Sequence, residues 1–227
     1  MLQKKNSWAF TLGTNIIYPT VKEYREFQGD RDHIFFSDFV IKPKSSIGIF
    51  SQIAYNHVLF SNSSSQFSIL SALGYKKITF YSSACGSYQG DFSSFNGTIN
   101  LKQLRNYLII SMSLNSNIKT KSSILWVNQI GLESNLVERR KTIREILETK
   151  KNNTYISFDW YYLRLDYSYL FYQIGLMFPI NKKYILSPSI RFSFLHINKF
   201  WEIKEQLFPE LRNYQIFTVG LTFVLTK

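Results

Sequence analysis

Five charged residues fall where strand periodicity would turn them away from the apolar face of the chain: Lys76, Glu133, Arg164, Asp166 and Arg191. Carboxylates and cations enclosed together could gate an ion path or form a small catalytic cluster. They could equally neutralise one another as a salt-bridged, water-holding plug, since an isolated buried charge is very costly. The plug is the expectation adopted, because a barrel of the strand count reached below has an interior only wide enough for side chains to fill.

Hydrolysis or acyl transfer would need a nucleophile, a base and an orienting carboxylate. The histidines are His33, His57 and His196, and only His33 has such company, with Asp30, Asp32, Ser37 and Asp38 nearby in sequence. Those are the ingredients of a surface site in membrane-barrel lipases and acyltransferases, but serine and aspartate are also ordinary loop residues. The solvated loop is the reading taken, and no catalytic residue is assigned. No metal-ligand spacing, phosphate-cradling glycine loop or dinucleotide fingerprint occurs, so neither metal nor cofactor is expected. The single cysteine, Cys85, rules out an internal disulfide framework and reads as an inert small residue.

The last cluster is basic: Arg139, Arg140, Lys141 and Arg144 lie in the charged run 138–148. A charged loop in water is the expectation. The alternative is a short helix with Ile143, Ile146 and Leu147 on one side, packing over a barrel mouth or meeting a partner. With 27 Lys and Arg against 15 Asp and Glu, the net charge of +12 implies an anionic neighbour. A nucleic-acid module would gather cations and exposed aromatics on one continuous face. Here the cations sit mostly in turns and loops, which favours lipid headgroups and lipopolysaccharide phosphates and predicts no nucleic-acid partner.

The elements that would position these groups are amphipathic segments of about ten residues, recurring from end to end. In residues 214–227 the side chains of Phe217, Val219, Leu221, Phe223 and Leu225 share one face, and Thr218, Gly220, Thr222 and Thr226 share the other. Segments of this kind are predicted at residues 7–18, 47–60, 66–81, 104–115, 123–137, 161–178, 184–196 and 214–227. Phase changes within the sixth, where Leu163, Leu165, Tyr167 and Tyr169 are out of step with Ile174, Leu176 and Phe178, and a bulge near residues 170–172 would repair it. In the second, Phe50 falls among the small and polar Gly48, Gln52, Ala54 and Asn56.

Connections alternate between long (20–45, 86–100, 138–151 and 198–213) and short (61–65, 116–121 and 179–183). Eight strands, four long connections on one end, and three short turns with both termini on the other give the asymmetry of an outer-membrane barrel. The chain is read as one domain, 1–227, all-β, an eight-stranded antiparallel up-and-down transmembrane β-barrel. With 20 Phe, 15 Tyr and 4 Trp it has the aromatic content suited to membrane interfaces, and no run reaches the roughly eighteen apolar residues of a membrane helix. Residues 1–6 begin with a basic stretch and show no apolar export signal. Either a signal peptide is already removed from this numbering or the protein is not exported.

The chain resembles the PorT-like outer-membrane β-barrel family of Bacteroidota. The likeness is carried by Tyr107-Leu108-Ile109-Ile110 leading through Ile118-Lys119-Thr120-Lys121 into Val127-Asn128-Gln129-Ile130-Gly131-Leu132, and by residues 175–184 from Gly175 through Pro179-Ile180-Asn181 to Tyr184. It covers most of the chain through diffuse strand-turn-strand patterns, and departs at Ile109-Ile110, where many relatives carry a proline. The resemblance implies an integral outer-membrane protein with short periplasmic turns, some members of the family being attached to a secretion apparatus. The expected function is structural or interactive and not enzymatic: a bacterial outer-membrane anchor or accessory subunit, with lipopolysaccharide and other envelope proteins as partners. The alternatives are a membrane-embedded lipid-modifying enzyme and a soluble lipocalin-like ligand-binding barrel.

Overall fold

The computed structural model of the protein describes residues 6–30, 35–90, 93–120, 124–148, 152–181, 183–197 and 214–225. Among these residues ten strands follow one another: β1 (Ser7–Pro19), β2 (Tyr24–Asp30), β3 (Phe35–Lys44), β4 (Ser46–Ser61), β5 (Ser65–Gly90), β6 (Ser93–Lys119), β7 (Leu125–Glu148), β8 (Asn152–Pro179), β9 (Tyr184–His196) and β10 (Tyr214–Leu225). Eight of them close a ring in the order β1-β4-β5-β6-β7-β8-β9-β10 and back to β1, every neighbouring pair antiparallel. Closure is made by β1 and β10, paired without interruption from Trp8 opposite Leu225 to Pro19 opposite Tyr214. It leaves the ring with no free edge inside a membrane, where an unpaired backbone group has no water to meet.

The facing of the side chains decides what surrounds the ring. On β1 the residues Ser7, Ala9, Thr11, Asn15 and Ile17 are buried in the lumen, while Trp8, Phe10, Leu12, Ile16 and Tyr18 are 41–60% exposed on the outside. On β9 the serines 187, 189 and 193 and Arg191 point inward, and Tyr184, Ile190 and Phe194 outward. A soluble barrel would reverse this arrangement. Polar inside and apolar outside is the signature of a barrel in lipid, and it removes the lipocalin-like alternative. The ten steps from Trp8 to Tyr18, at ~3.3 Å per residue and a tilt of about 40°, make an apolar band roughly 25 Å tall. Aromatic rings stand at its lower rim, with Trp8 against Tyr55 (5.0 Å between centroids) and Trp126 and Tyr184 exposed on their own strands.

The short turns are tight. Asn62 accepts the backbone N–H groups of Ser64 and Ser65 through Oδ1, and Asn181 does the same for Lys183 and Tyr184, two Asx turns at one end of the ring. The third connection begins later than predicted, because β6 runs on to Lys119; Thr120 donates to the Ile124 carbonyl across it.

The opposite end corrects the sequence reading. The connections expected at 86–100 and 138–151 are strand-built: β5 and β6 stay paired out to Gly90 and Ser93, and β7 and β8 out to Leu147 and Asn152. The run 138–148 is therefore neither loop nor helix. Its backbone bonds are met by β6 on one side and β8 on the other, and a helix would forfeit both ladders. The first long connection holds the hairpin β2–β3, and β3 prolongs β4. From Lys44 opposite Tyr81 to Ile49 opposite Lys77 the chain advances five residues against four, so one extra residue near Ser45 bends a single long strand. Phe39, Ile41, Ala84, Ile99 and Leu101, with Tyr24 against them, form a second apolar core in this raised wall.

The expected bulge on the sixth strand is displaced. Leu170 pairs with Leu195 and Phe171 with Ser193, so the extra residue at that level is Phe194 of β9. The irregularities of β8 itself come earlier: Asn135 faces Tyr167 and Leu136 faces Leu165, leaving Asp166 over, and a second shift separates Val137 opposite Arg164 from Arg139 opposite Trp160.

Candidate functional site

The lumen is layered. Toward the short-turn end lie Ala9, Ala54, Ala72, Ile185 and Val224, small enough to let the walls approach. Toward the raised end, Ile17, Ile78, Phe80, Tyr107, Tyr169, Phe171 and Ile216, contributed by five strands, form an apolar cluster in which no member is more than 3% exposed. Between these layers sits the charged site.

Its centre is Glu133 of β7. Oε1 accepts from Lys76 Nζ and from Tyr169 Oη (2.5 Å), and Oε2 accepts from Arg191 Nη1 at 2.7 Å. Lys76 Nζ also donates to Asn135 Oδ1 and to Tyr169 Oη, both at 3.0 Å. Arg191 Nε donates to Gln173 Oε1 at 2.8 Å, and its guanidinium lies 4.1 Å from the Phe171 ring centroid. These contacts follow from register. Glu133 is directly opposite Tyr169 on β8, Gln173 opposite Arg191 on β9, and Lys76 sits on β5 between Phe50 and Tyr107.

The structure thus brings together three of the five predicted lumen charges, Lys76, Glu133 and Arg191, each no more than 5% exposed. The side chains of Arg164 and Asp166 lie outside the described residues. Tyr169 was missed, since its alternation with Leu163 and Leu165 assigned it to lipid. Stepping back by twos from the inward Gly175 reaches Gln173, Phe171 and Tyr169, and that phase was the available signal. Gln103 and Arg105 are also buried on β6, with Arg105 Nε donating to Gln103 Oε1 at 2.5 Å; Gln103 lies one residue before the predicted segment, and Arg105, inside that segment, was not assigned to the lumen.

Chemically the arrangement favours a lock. A general base needs a free lone pair aimed at a proton to abstract; both oxygens of Glu133 are already held by cations, and its neighbours are pinned in turn. The amide and hydroxyl ladder nearer the turns continues the pattern, with Asn117 Nδ2 donating to Gln66 Oε1 at 2.8 Å and Gln129 Nε2 to Ser113 Oγ at 2.6 Å.

The other candidates are dispersed. His57 is exposed on the outer face of β4, His33 and the side chain of His196 lie outside the described residues, and Asp38 is engaged by Arg25 Nε and Nη2 at 2.7 and 2.5 Å. Of the basic cluster, Lys141 is described, partly exposed; the side chains of Arg139, Arg140 and Arg144 lie outside the described residues. Their backbones stand opposite Asn106, Arg105 and Leu101 in a paired strand where a single basic loop was expected. Cys85 is an exposed free thiol.

No protein-family model matches the chain, and no curated protein is similar to it. Solved structures are similar along nearly its whole length. Ail, the attachment invasion locus protein of Yersinia pestis, is 10% identical with a TM-score of 0.43, covering 99% of both chains. The outer-membrane protease OmpT of Escherichia coli is 10% identical with a TM-score of 0.42, covering 97% of this chain and 94% of its own. The Neisserial surface protein NspA is 9% identical with a TM-score of 0.41, covering 98% and 96%. The strand count and the facing of the side chains come from this chain's own registers.

Proposed function

We propose that the protein is an outer-membrane barrel with a structural or interaction role, an anchor that holds a raised β-sheet wall above the membrane for other envelope components, and that it belongs with the PorT-like barrels. One observation carries the reading: the lumen is occupied by the interlocked Lys76–Glu133–Arg191–Tyr169 site beneath an apolar cluster, so the interior is built to be closed. What remains for function is the outside and the raised end. There β5–β6 and β7–β8 continue well beyond the band, and β2–β3 adds a hairpin to the same wall. A role as accessory subunit of a secretion or translocation apparatus fits a rigid wall of this kind, because paired strands present a fixed surface at little ordering cost on binding. The raised end is extracellular and the Asx turns periplasmic, as in other barrels with short inner turns.

The test is a heat-modifiable band in the outer-membrane fraction, with an epitope at 90–93 labelled on intact cells and one at Asn62 protected. Labelling at Asn62 alone would reverse the orientation, and a folded monomer without detergent would remove the reading.

A further inference from the structure

The outer face of the raised wall carries lysines where the apolar band stops. Lys44 of β3 and Lys102 of β6 are register neighbours of Tyr81 on β5, one on each side, and the Lys102 ammonium lies 5.5 Å from the Tyr81 ring centroid. Lys77 stands four residues nearer the membrane on β5, opposite Ile49, which is 60% exposed on the band itself. Lys141 of β7 is opposite Leu104, diagonal to Lys102. Strands lie about 4.8 Å apart, so these four cations from four adjacent strands fall within roughly 15 Å of one another. Among the described residues, Lys44, Lys77 and Lys102 meet no carboxylate. Glu23 is engaged by Lys42 at 3.5 Å and Asp38 by Arg25, and the side chain of Glu145, whose backbone stands opposite Asn100 on β6, lies outside the described residues.

We infer that this patch binds the phosphorylated headgroup of an outer-leaflet glycolipid of the lipopolysaccharide class, its acyl chains lying on Ile47, Ile49 and Tyr75 below. The inference rests on the outer-membrane reading and moves the lipid contact from the run 139–144 to a surface shared by four strands. Cations gathered on one face set up a local positive potential that attracts an anionic headgroup, and the exposed isoleucines immediately beneath favour an anion that carries acyl chains. A free phosphate would use the lysines and leave that apolar surface unused.

The experiment is native mass spectrometry of the detergent-purified barrel titrated with diphosphorylated lipid A, with inorganic pyrophosphate as competitor. Wild type should retain the lipid, less so as salt rises, and pyrophosphate at equal concentration should not displace it. The triple variant Lys44→Gln, Lys77→Gln, Lys102→Gln should bind roughly a hundredfold more weakly, about fivefold per lysine. The triple Lys→Arg variant should bind as wild type, and Lys119→Gln, at the turn end, should be neutral. Equal binding by the folded Gln variant, salt-independent binding, or displacement by pyrophosphate would each overturn the site. A heat-modifiable barrel in those same samples keeps the outer-membrane reading standing whichever way the lipid result falls.

Discussion

The ring of Phe50 on β4 lies across the bare backbone of Gly13 on β1: the two residues are register partners, and a Cβ at position 13 would come within 2.1 Å of Phe50 Cε1 and 2.5 Å of the Val219 carbonyl. The ring is accommodated in the lumen because its neighbour has no side chain, the same device by which aromatic residues cover glycines in designed barrels.

Gly13→Val should therefore destabilise the barrel by about 1–3 kcal/mol or more, through overpacking against both ring and carbonyl. Adding Phe50→Ala should relieve only part of that loss, since the Val219 carbonyl remains. Denaturant unfolding in detergent, followed by tryptophan fluorescence, measures both. Full recovery in the double variant would assign the whole constraint to the ring.

On the outer face, Leu221→Arg or Phe223→Arg near the middle of β10 should cost roughly 2–4 kcal/mol, the penalty for a cation in the apolar band. Thr222→Ser between them should be mild, because serine keeps the hydroxyl that meets Thr11 Oγ1 at 2.9 Å. Heat-modifiability on a gel separates the two classes.

The residues that were legible in the sequence were those whose neighbours on both faces differ in kind. In the band, lipid on one side and a packed lumen on the other impose strict alternation, so Trp126, Ile130 and Leu132 against Gln129, Glu133 and Asn135 could be read directly, and with them Lys76, Glu133 and Arg191. Above the band that contrast fades: the exterior meets water and the interior holds Phe39, Ile41 and Leu101, so Thr98-Ile99-Asn100-Leu101 and the run 138–148 looked like loop although both are strand. Tyr169 was lost for another reason. The residue left over at Asp166 shifts the phase of β8, and a bulge leaves no mark in composition.

The β2–β3 hairpin carries a pH dependence. The Arg25 guanidinium holds the Asp38 carboxyl below its ordinary 3.8, so the unfolded hairpin binds the proton more readily than the folded one. Its stabilising effect is thus fully present above that ordinary value and is lost as pH falls through the depressed folded one. Hydrogen exchange across Tyr24–Asp30 should quicken in that acidic window beyond the intrinsic change in rate, and Asp38→Asn should be faster already at neutral pH with the acid step gone. An unchanged step in the Asn variant would assign it to another group.

The lumen site makes the sharpest demand. Glu133 is the carboxylate shared by Lys76 and Arg191, so Glu133→Gln leaves two cations enclosed with only neutral partners, and breaking a buried pair in this way costs about 3–5 kcal/mol. Lys76→Met together with Glu133→Gln removes one of the two stranded charges and should recover a substantial part of that loss, although Arg191 keeps Gln173 and the Phe171 ring as company. Denaturant midpoints of the wild type, the single and the double variant measure this directly. If Glu133 is a lock, barrels of both variants that still fold should keep the protein's cellular role, because a side chain sealed between an apolar cluster and the lumen wall touches nothing outside. Loss of that role in a variant with an undiminished midpoint would mean that the charged centre works on something passing through the lumen, and the anchor reading would give way to a conduit or an enzyme.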